Sequence, residues 1–283
     1  VYNCPWCLHP KPKLSVNLET DTYNCWTCEG GVTRGRSLTG LLRNRVEDEF
    51  LREYMDSLIG WTKPVIERDD TPPLLPTEFE SMSWDYSRDP TARQYISYMT
   101  RRGATHDDLV FYRMGMCRTG ELRGRVIFPS FDLEGHLNFY TARKIDDKAW
   151  GQPYITPDTT KDIVFNDSLI DWNYPVVLVE GPFDMLTVKR NAIPLQGKFL
   201  RPSSRLFERI VLSKTPVYLA LDSDAKADQI AMAHMLYRYG VTVYNVELGQ
   251  HKDVSEMGRE RFSNHLLDAT MYRDTDRIRL LCA

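Results

Sequence analysis

No run of residues in this sequence is long or apolar enough to span a bilayer, and its first residues, Val1-Tyr-Asn-Cys4, have no signal-peptide character. A cytosolic setting without a membrane role is the expectation. The motif Gly-x-x-x-x-Gly-Lys-Ser/Thr is also absent, so no ATP-driven motor is expected within this chain. Nor is there a surplus of positive charge: 36 Lys and Arg stand against 39 Asp and Glu, a formal net charge of -3, so no broad attraction for nucleic acid follows from composition. Cysteine is scarce, six in 283 residues, and a cytosolic chain is not expected to pair them as disulfides.

What is present is a length sufficient for one large or two to three small domains, with 42% hydrophobic residues and charges of both signs. The chain is organised around Pro175-Val-Val-Leu-Val-Glu180-Gly-Pro-Phe-Asp184 and a later stretch of the same design, Val217-Tyr-Leu-Ala-Leu-Asp222-Ser-Asp224. Each is a short unbroken apolar run ending in carboxylates. Such runs predict strands buried on both faces of a parallel sheet, with functional groups collected at the carboxyl ends. A tight turn at Gly181, a helix from Pro182 through Met185 to Asn191, a second helix over about 228–239 and a third strand at 241–246 give strand, helix, strand, helix, strand. The polar loop Gly249-Gln-His251-Lys252-Asp253 then opens on a helix of roughly 255–267.

Carboxylates meeting at one rim repel one another, and a hard divalent cation such as magnesium resolves the repulsion through oxygen ligands. Taken singly, Asp184 equally suits the first turn of a helix, and Asp222 or Asp224 an N-cap. Both pairs on strands of one α/β unit favour the metal.

Four cysteines fall in Cys4-Pro-Trp-Cys7 and Cys25-Trp-Thr-Cys28, with seventeen residues between the pairs. That is zinc-ribbon spacing, and four thiolates close a structural site. Leu14-Ser-Val-Asn-Leu18 alternates as a strand between the knuckles, followed by a turn over 19–22. Trp6, Tyr23 and Trp26, beside Lys11, Lys13, Arg34 and Arg36, are placed either to stack bases or to supply the small module's core. Helical periodicity covers 37–45 and 46–58, and Lys63 to Pro76, with four prolines, predicts an extended tether. Short helices are expected over 91–100 and 106–109. From Arg123 to Lys144 the chain alternates as an antiparallel hairpin turning near 133–135, with Arg123, Arg125, Arg143 and Lys144 at strand ends. Solvated strand ends are the alternative for these cations.

Glu180-Gly-x-x-Asp184, Asp222-x-Asp224 and Lys252-Asp253 resemble the Toprim domain shared by bacterial-type primases, topoisomerases, some nucleases and a recombination mediator. Arg123-x-Arg125-x-x-Phe128-Pro129, the hairpin ending at Arg143, Tyr154-Ile-Thr-Pro157 and Val164-Phe165-Asn166 resemble the basic subdomain of bacterial and phage primases, as Cys25-x-x-Cys28-x-Gly-Gly resembles their zinc knuckle. The resemblance implies an α/β chain, α+β overall: a zinc ribbon over 1–46, a helix and Pro-rich tether over 47–76, a mixed α+β basic subdomain over 77–172, a Toprim parallel sheet flanked by helices over 173–255, and a helical segment over 256–283.

It further implies a primase, a DNA-directed RNA polymerase that copies single-stranded DNA into short RNA primers from ribonucleoside triphosphates. The setting would be the cytoplasm of a bacterium or of a phage-infected host, with a separate replicative helicase as partner. Glu180, Asp222 and Asp224 would be catalytic, holding Mg2+ or Mn2+ together with Asp184 and Asp253. Cys4, Cys7, Cys25 and Cys28 would hold Zn2+. Arg123, Arg125, Arg143, Lys144 and Lys161 would bind nucleotide and template. Two departures stand out. Pro153 replaces a family lysine before Tyr154, a role that could pass to Lys144, Lys148 or Lys161, and Ser255 replaces an aspartate after Asp253. A Toprim nuclease and a zinc-bearing recombination mediator that clamps DNA are the rival readings. The near-neutral charge predicts weak binding to bare single-stranded DNA without a partner; a nanomolar dissociation constant in a filter-binding titration would contradict this.

Overall fold

The computed structural model describes residues 14–17, 22–25, 36–37, 72–84, 86, 88–148, 151–197 and 199–273. Cys4, Cys7 and Cys28, the helices expected over 37–58 except for Ser37, which is in a strand, and most of the tether lie outside these. The chain divides into two compact units, 1–67 and 68–283.

In the first unit β1 (Leu14–Asn17) pairs antiparallel with β2 (Thr22–Cys25), and β3 (Arg36–Ser37) pairs with β2. Leu14 lies opposite Cys25 and both are buried, so the expected strand places one ligand candidate beside an apolar partner.

The second unit opens with an antiparallel meander of five strands in chain order: β4 (Phe79–Ser81), β5 (Gly115–Cys117), β6 (Arg125–Phe131), β7 (Leu137–Lys144) and β8 (Tyr154–Ile155). Two helices lie between β4 and β5. In α1 (Pro90–Arg101), Pro90 takes the first turn and the Asp89 side chain accepts from the N–H groups of Thr91 and Ala92. In α2 (His106–Phe111), Thr105 and Asp108 cap reciprocally. Gly115 is required where β4 and β5 cross closely, because a Cβ there would lie 2.1 Å from the Phe79 ring and 2.7 Å from the Glu80 carbonyl oxygen. The β6–β7 hairpin turns over 132–136, as the alternation predicts.

Alternation gives this sheet two faces. Val126, Phe128 and Phe139 belong to the main core, whereas Ile127 and Ala142 join Cys117 and Leu122 in a small separate cluster on the other side.

The second sheet has the order β10-β9-β11-β12-β13, built from β9 (Val176–Val179), β10 (Ala192–Pro194), β11 (Val217–Ala220), β12 (Val243–Asn245) and β13 (Thr270–Met271). All neighbours are parallel except the antiparallel edge strand β13. The helices are α3 (Pro182–Val188), α4 (Arg205–Ser213), α5 (Lys226–Arg238), α6 (Val254–Met257) and α7 (Arg259–Leu267). The α/β class is as expected, with three differences of detail. β10 and α4 intervene between the two acidic strands; β10 is a three-residue strand ending in proline, tolerated because it is an edge. The helix expected over 255–267 is broken at Gly258, whose φ of +81° favours glycine. The sheet extends past residue 255, since β13 pairs with β12.

Phe183 of α3 ties the two sheets together, meeting Phe128 edge-on at 5.1 Å and Tyr98 at 6.0 Å. Beside it Arg259 Nη2 donates to Asp108 Oδ2 at 2.9 Å and to the Leu186 carbonyl at 3.0 Å. Among the described residues no helix is long and apolar enough to cross a membrane.

Burial alone would raise the Asp108 carboxyl, but hydrogen bonds from Thr105 and Arg259 outweigh it and hold the group below its ordinary range. A depressed acid stabilises the fold above the ordinary carboxylate pKa of about 4 and ceases to do so as pH falls below it. Asp108→Ala strands Arg259 and uncaps α2, and is expected to cost about 3 kcal/mol in urea unfolding at neutral pH, with the gap to wild type narrowing in acid.

Candidate metal and nucleotide site

β10 lies on one side of β9 and β11 on the other, so the carboxyl ends of β9 and β11 form the switch point of the sheet, where ligands of open α/β sheets bind. Glu180 follows β9 directly, and Asp222 and Asp224 follow β11. Their carboxylate oxygens come within 4.8 Å of one another, with Glu180 and Asp222 half-buried and Asp224 exposed. The intervening β10 does not separate them because it joins the far edge.

Local bonds fix this geometry. The Asp222 N–H donates to Glu180 Oε1 at 3.2 Å, and the Ser223 N–H to the Lys252 carbonyl at 2.8 Å. The Leu221 N–H donates to Gln229 Oε1 at 3.0 Å, while Gln229 Nε2 reaches Asn245 Oδ1 at 3.4 Å. Gln229 is buried, and no motif in the sequence marks it. Its position one turn into the helix after the acidic pair was the available signal.

Asp184 and Asp253 play a different part from the other carboxylates. Asp184 accepts from the Gly181 N–H at 3.1 Å through Oδ2 and from the Ser255 N–H at 2.9 Å through Oδ1, so one carboxylate closes α3 and holds the start of α6. Gly181 has an extended φ of -128°, not a turn conformation; its contribution is room, since a Cβ there would lie 3.3 Å from Asp184 Oδ2. Asp253 caps α6 through the Glu256 N–H at 2.7 Å. At 255 it is the backbone N–H, not the side chain, that makes the contact with Asp184.

The basic set divides by face. Arg125 lies opposite Lys144, on the side of Ile127 and Ala142, whereas Arg143 lies opposite Tyr154, on the side of Val126 and Phe128. All three cations are buried, which removes solvated strand ends as their description. Arg125 donates to the carbonyls of Gln152 at 2.8 Å and Pro153 at 3.1 Å, and Lys144 Nζ to that of Gly151 at 3.2 Å. Arg143 pairs with Asp147 and lies 5.0 Å from the centre of the Tyr154 ring. Burial, and then the neighbouring Arg143 charge, lower the Arg125 pKa. Arg123 and Lys161 are exposed.

A cavity of about 560 Å³ opens between the end of α1 and the α6–α7 corner, with Arg101, Arg102, Lys252 and Arg259 around Asp253 and Glu256. Arg102 stacks 4.8 Å from the Phe183 ring centre. In the sequence, Arg101 and Arg102 stand out only as part of a local excess of arginine.

No family model matches the sequence, and no curated protein matches it. Solved structures do. The zinc-binding and RNA polymerase domains of the Aquifex aeolicus primase match with a TM-score of 0.54 at 18% identity, over 95% of this chain and 78% of that one. A DNA primase domain from Pseudomonas aeruginosa gives 0.52 at 16%, covering 64% and 74%. The RNA polymerase domain of the Mycobacterium tuberculosis primase, in complex with a double-stranded DNA oligomer bearing a 6-nucleotide overhang, gives 0.52 at 15%, covering 65% and 75%. At these identities the likeness is one of fold: the chain has the mixed α/β fold of the bacterial primase catalytic core.

Burial raises the Asp184 carboxyl to about 7; the Ser255 N–H opposes this, and the charges of Asp253 and Asp222 add to it. A raised acid favours the folded state while protonated and loses that advantage as pH climbs from about 4 towards 7. In chelator-treated protein, the melting temperature of Asp184→Asn relative to wild type is therefore expected to shift in the variant's favour between about pH 5 and pH 8, as read by calorimetry.

Proposed function

We propose that this protein is a DNA primase, a nucleotidyltransferase that joins ribonucleotides on a single-stranded DNA template. The observation that carries the reading is the carboxylate triad Glu180, Asp222 and Asp224 at the switch point, in a chain with the primase-core fold. Three hard oxygen donors this close fit magnesium or manganese, and their mutual repulsion is relieved by a bound cation. Asp222, Asp224 and Glu180 would hold it; when bound, such ions neutralise phosphate charge and activate the attacking 3′-hydroxyl.

The chain's own contribution is positioning. Gln229 and the Lys252 carbonyl hold the turn that carries Asp222 and Asp224. Asp184, through both its oxygens, and Asp253, as the cap of α6, would serve the site by holding the neighbouring elements rather than as direct ligands. Arg101, Arg102 and Lys252 would present positive charge to phosphate across the cavity, and the exposed Arg123 and Lys161 would extend it towards a template strand, with Arg143, buried and paired with Asp147, adding its charge from within. Arg125 and Lys144 act behind them by fixing the backbone over 151–153. We read the sequence in the order zinc ribbon (1–46), tether (47–76), basic subdomain (77–172), Toprim-type domain (173–255) and closing segment (256–283). Cys4, Cys7, Cys25 and Cys28 would bind Zn2+, and a separate replicative helicase would deliver the template.

The test is incorporation of labelled ribonucleotides on mixed single-stranded templates with magnesium or manganese. Wild type is expected to yield short RNA, and Asp222→Ala to lose it by at least about a hundredfold, because the charge it supplies is needed in the transition state. Absence of product even with a replicative helicase added, alongside DNA cleavage, would replace the primase reading with that of a nuclease.

A further inference from the structure

The N–H groups of Leu221, Asp222 and Ser223 follow one another out of the end of β11, and each is held by something other than a strand. Those of Asp222 and Ser223 bond to Glu180 and to the Lys252 carbonyl. That of Leu221 turns inward to Gln229 Oε1 at 3.0 Å, and with Leu221 only 2% exposed water is no substitute for this partner. Ala225 stands at the start of α5 and has no polar side chain with which to cap it. The turn that carries Asp222 and Asp224 is therefore held on its inner side by one neutral amide.

Gln229 occupies a position that packing alone would give to an apolar residue. With Met232, Ala233 and Leu236 it forms the buried stripe of α5, at helical spacing. Asn245 is the matching exception in the sheet, since it lies opposite Leu219, which lies opposite Leu178, and both leucines are fully buried. Gln229 Nε2 donates to Asn245 Oδ1 at 3.4 Å, which fixes which way round the Gln229 amide stands. Its nitrogen faces β12, and its oxygen is left for the Leu221 N–H, a group that only an acceptor can satisfy. Two amides buried in an apolar layer cost stability unless both are bonded, so filling the core does not account for them. Neither adds charge to the rim. A lysine or arginine in their place would pair with the carboxylates and compete with a cation.

We propose that Asn245 and Gln229 form an uncharged positioning relay that holds Asp222 and Asp224 at the separation from Glu180 at which the rim binds a divalent cation. The inference rests on the metal reading of the triad and deepens it. The spacing of the ligands is set from beneath, by two side chains that hold backbone rather than metal, and Asn245 acts on the site from a strand that carries none of its carboxylates. Groups standing behind the ligands of a metal govern its affinity by about tenfold to a hundredfold.

The full chain, dialysed free of exchangeable metal, is titrated with manganese and the free ion counted by electron paramagnetic resonance. Melting temperatures are read on the same metal-free samples. Asp222→Ala marks which binding event belongs to the rim. Gln229→Leu is expected to weaken that event by about tenfold or more and to lower the melting temperature. Asn245→Leu weakens it less, because the Gln229 oxygen remains and only its orientation is freed. The double variant, Gln229→Leu with Asn245→Leu, removes both amides together and recovers part of the lost melting temperature, since no amide is left buried without its partner. Its manganese affinity stays as low as that of Gln229→Leu, because the Leu221 N–H still has no side-chain acceptor. Wild-type affinity in folded Gln229→Leu overturns the relay and leaves the metal reading standing, as does affinity that returns in the double variant in step with melting temperature. Where Gln229→Leu does not fold, unchanged affinity in Asn245→Leu overturns it equally. A wild type that binds no manganese, or binding that Asp222→Ala leaves unaltered, refutes both readings.

Discussion

The repulsion among Glu180, Asp222 and Asp224 is the constraint around which the second unit is arranged. Like charges whose oxygens lie within 4.8 Å do not stay together unaided. They are held by backbone on which they have little freedom: two strands with buried apolar runs, a bond from the Asp222 N–H to Glu180, and the Gln229 side chain beneath the turn. Each of these elements has ordinary packing reasons to exist. Their combined effect is to fix negative charge at a place open to solvent and adjacent to cations.

Those cations come from both sheets. Arg101 and Arg102 end a helix of the antiparallel domain, while Lys252 and Arg259 belong to the parallel one. The Asp108–Arg259 pair and the Phe183 contacts with Phe128 and Tyr98 therefore do more than join two layers. They hold the end of α1 against the α6–α7 corner, and so bring cations of both domains to the rim of one cavity. Removing solvent from such a cleft strengthens every charge interaction in it.

The strongest signals in the sequence were those that depend on burial and local chemistry. Unbroken Val and Leu runs gave β9 and β11, and alternation gave the β6–β7 hairpin, because a buried strand constrains every residue along it. β10 and α4 escaped notice because Ala192-Ile-Pro194 is too short to show a period and proline argues against a strand unless its edge position is known. The same limit applied to the site. Glu180, Asp222 and Asp224 could be placed together from their strands, but that Asp184 spends both oxygens on backbone N–H groups depends on Ser255 of α6, 71 residues later. The division of Arg125 and Lys144 from Arg143 follows from strand parity and was readable in principle. Their burial was not, since it comes from the return of residues 151–153 over them.

The edge position of β10 has a consequence for how this architecture can vary. A strand at the margin has only one neighbour to satisfy, and here that neighbour is β9, which is already fixed by β11 on its other side. The chain that leaves β10, runs through Ser204 into α4 and returns to β11 can lengthen, shorten or change composition without shifting the ends of β9 and β11. Descendants of such a sequence could therefore remodel that margin of the sheet while leaving the acidic rim where it stands.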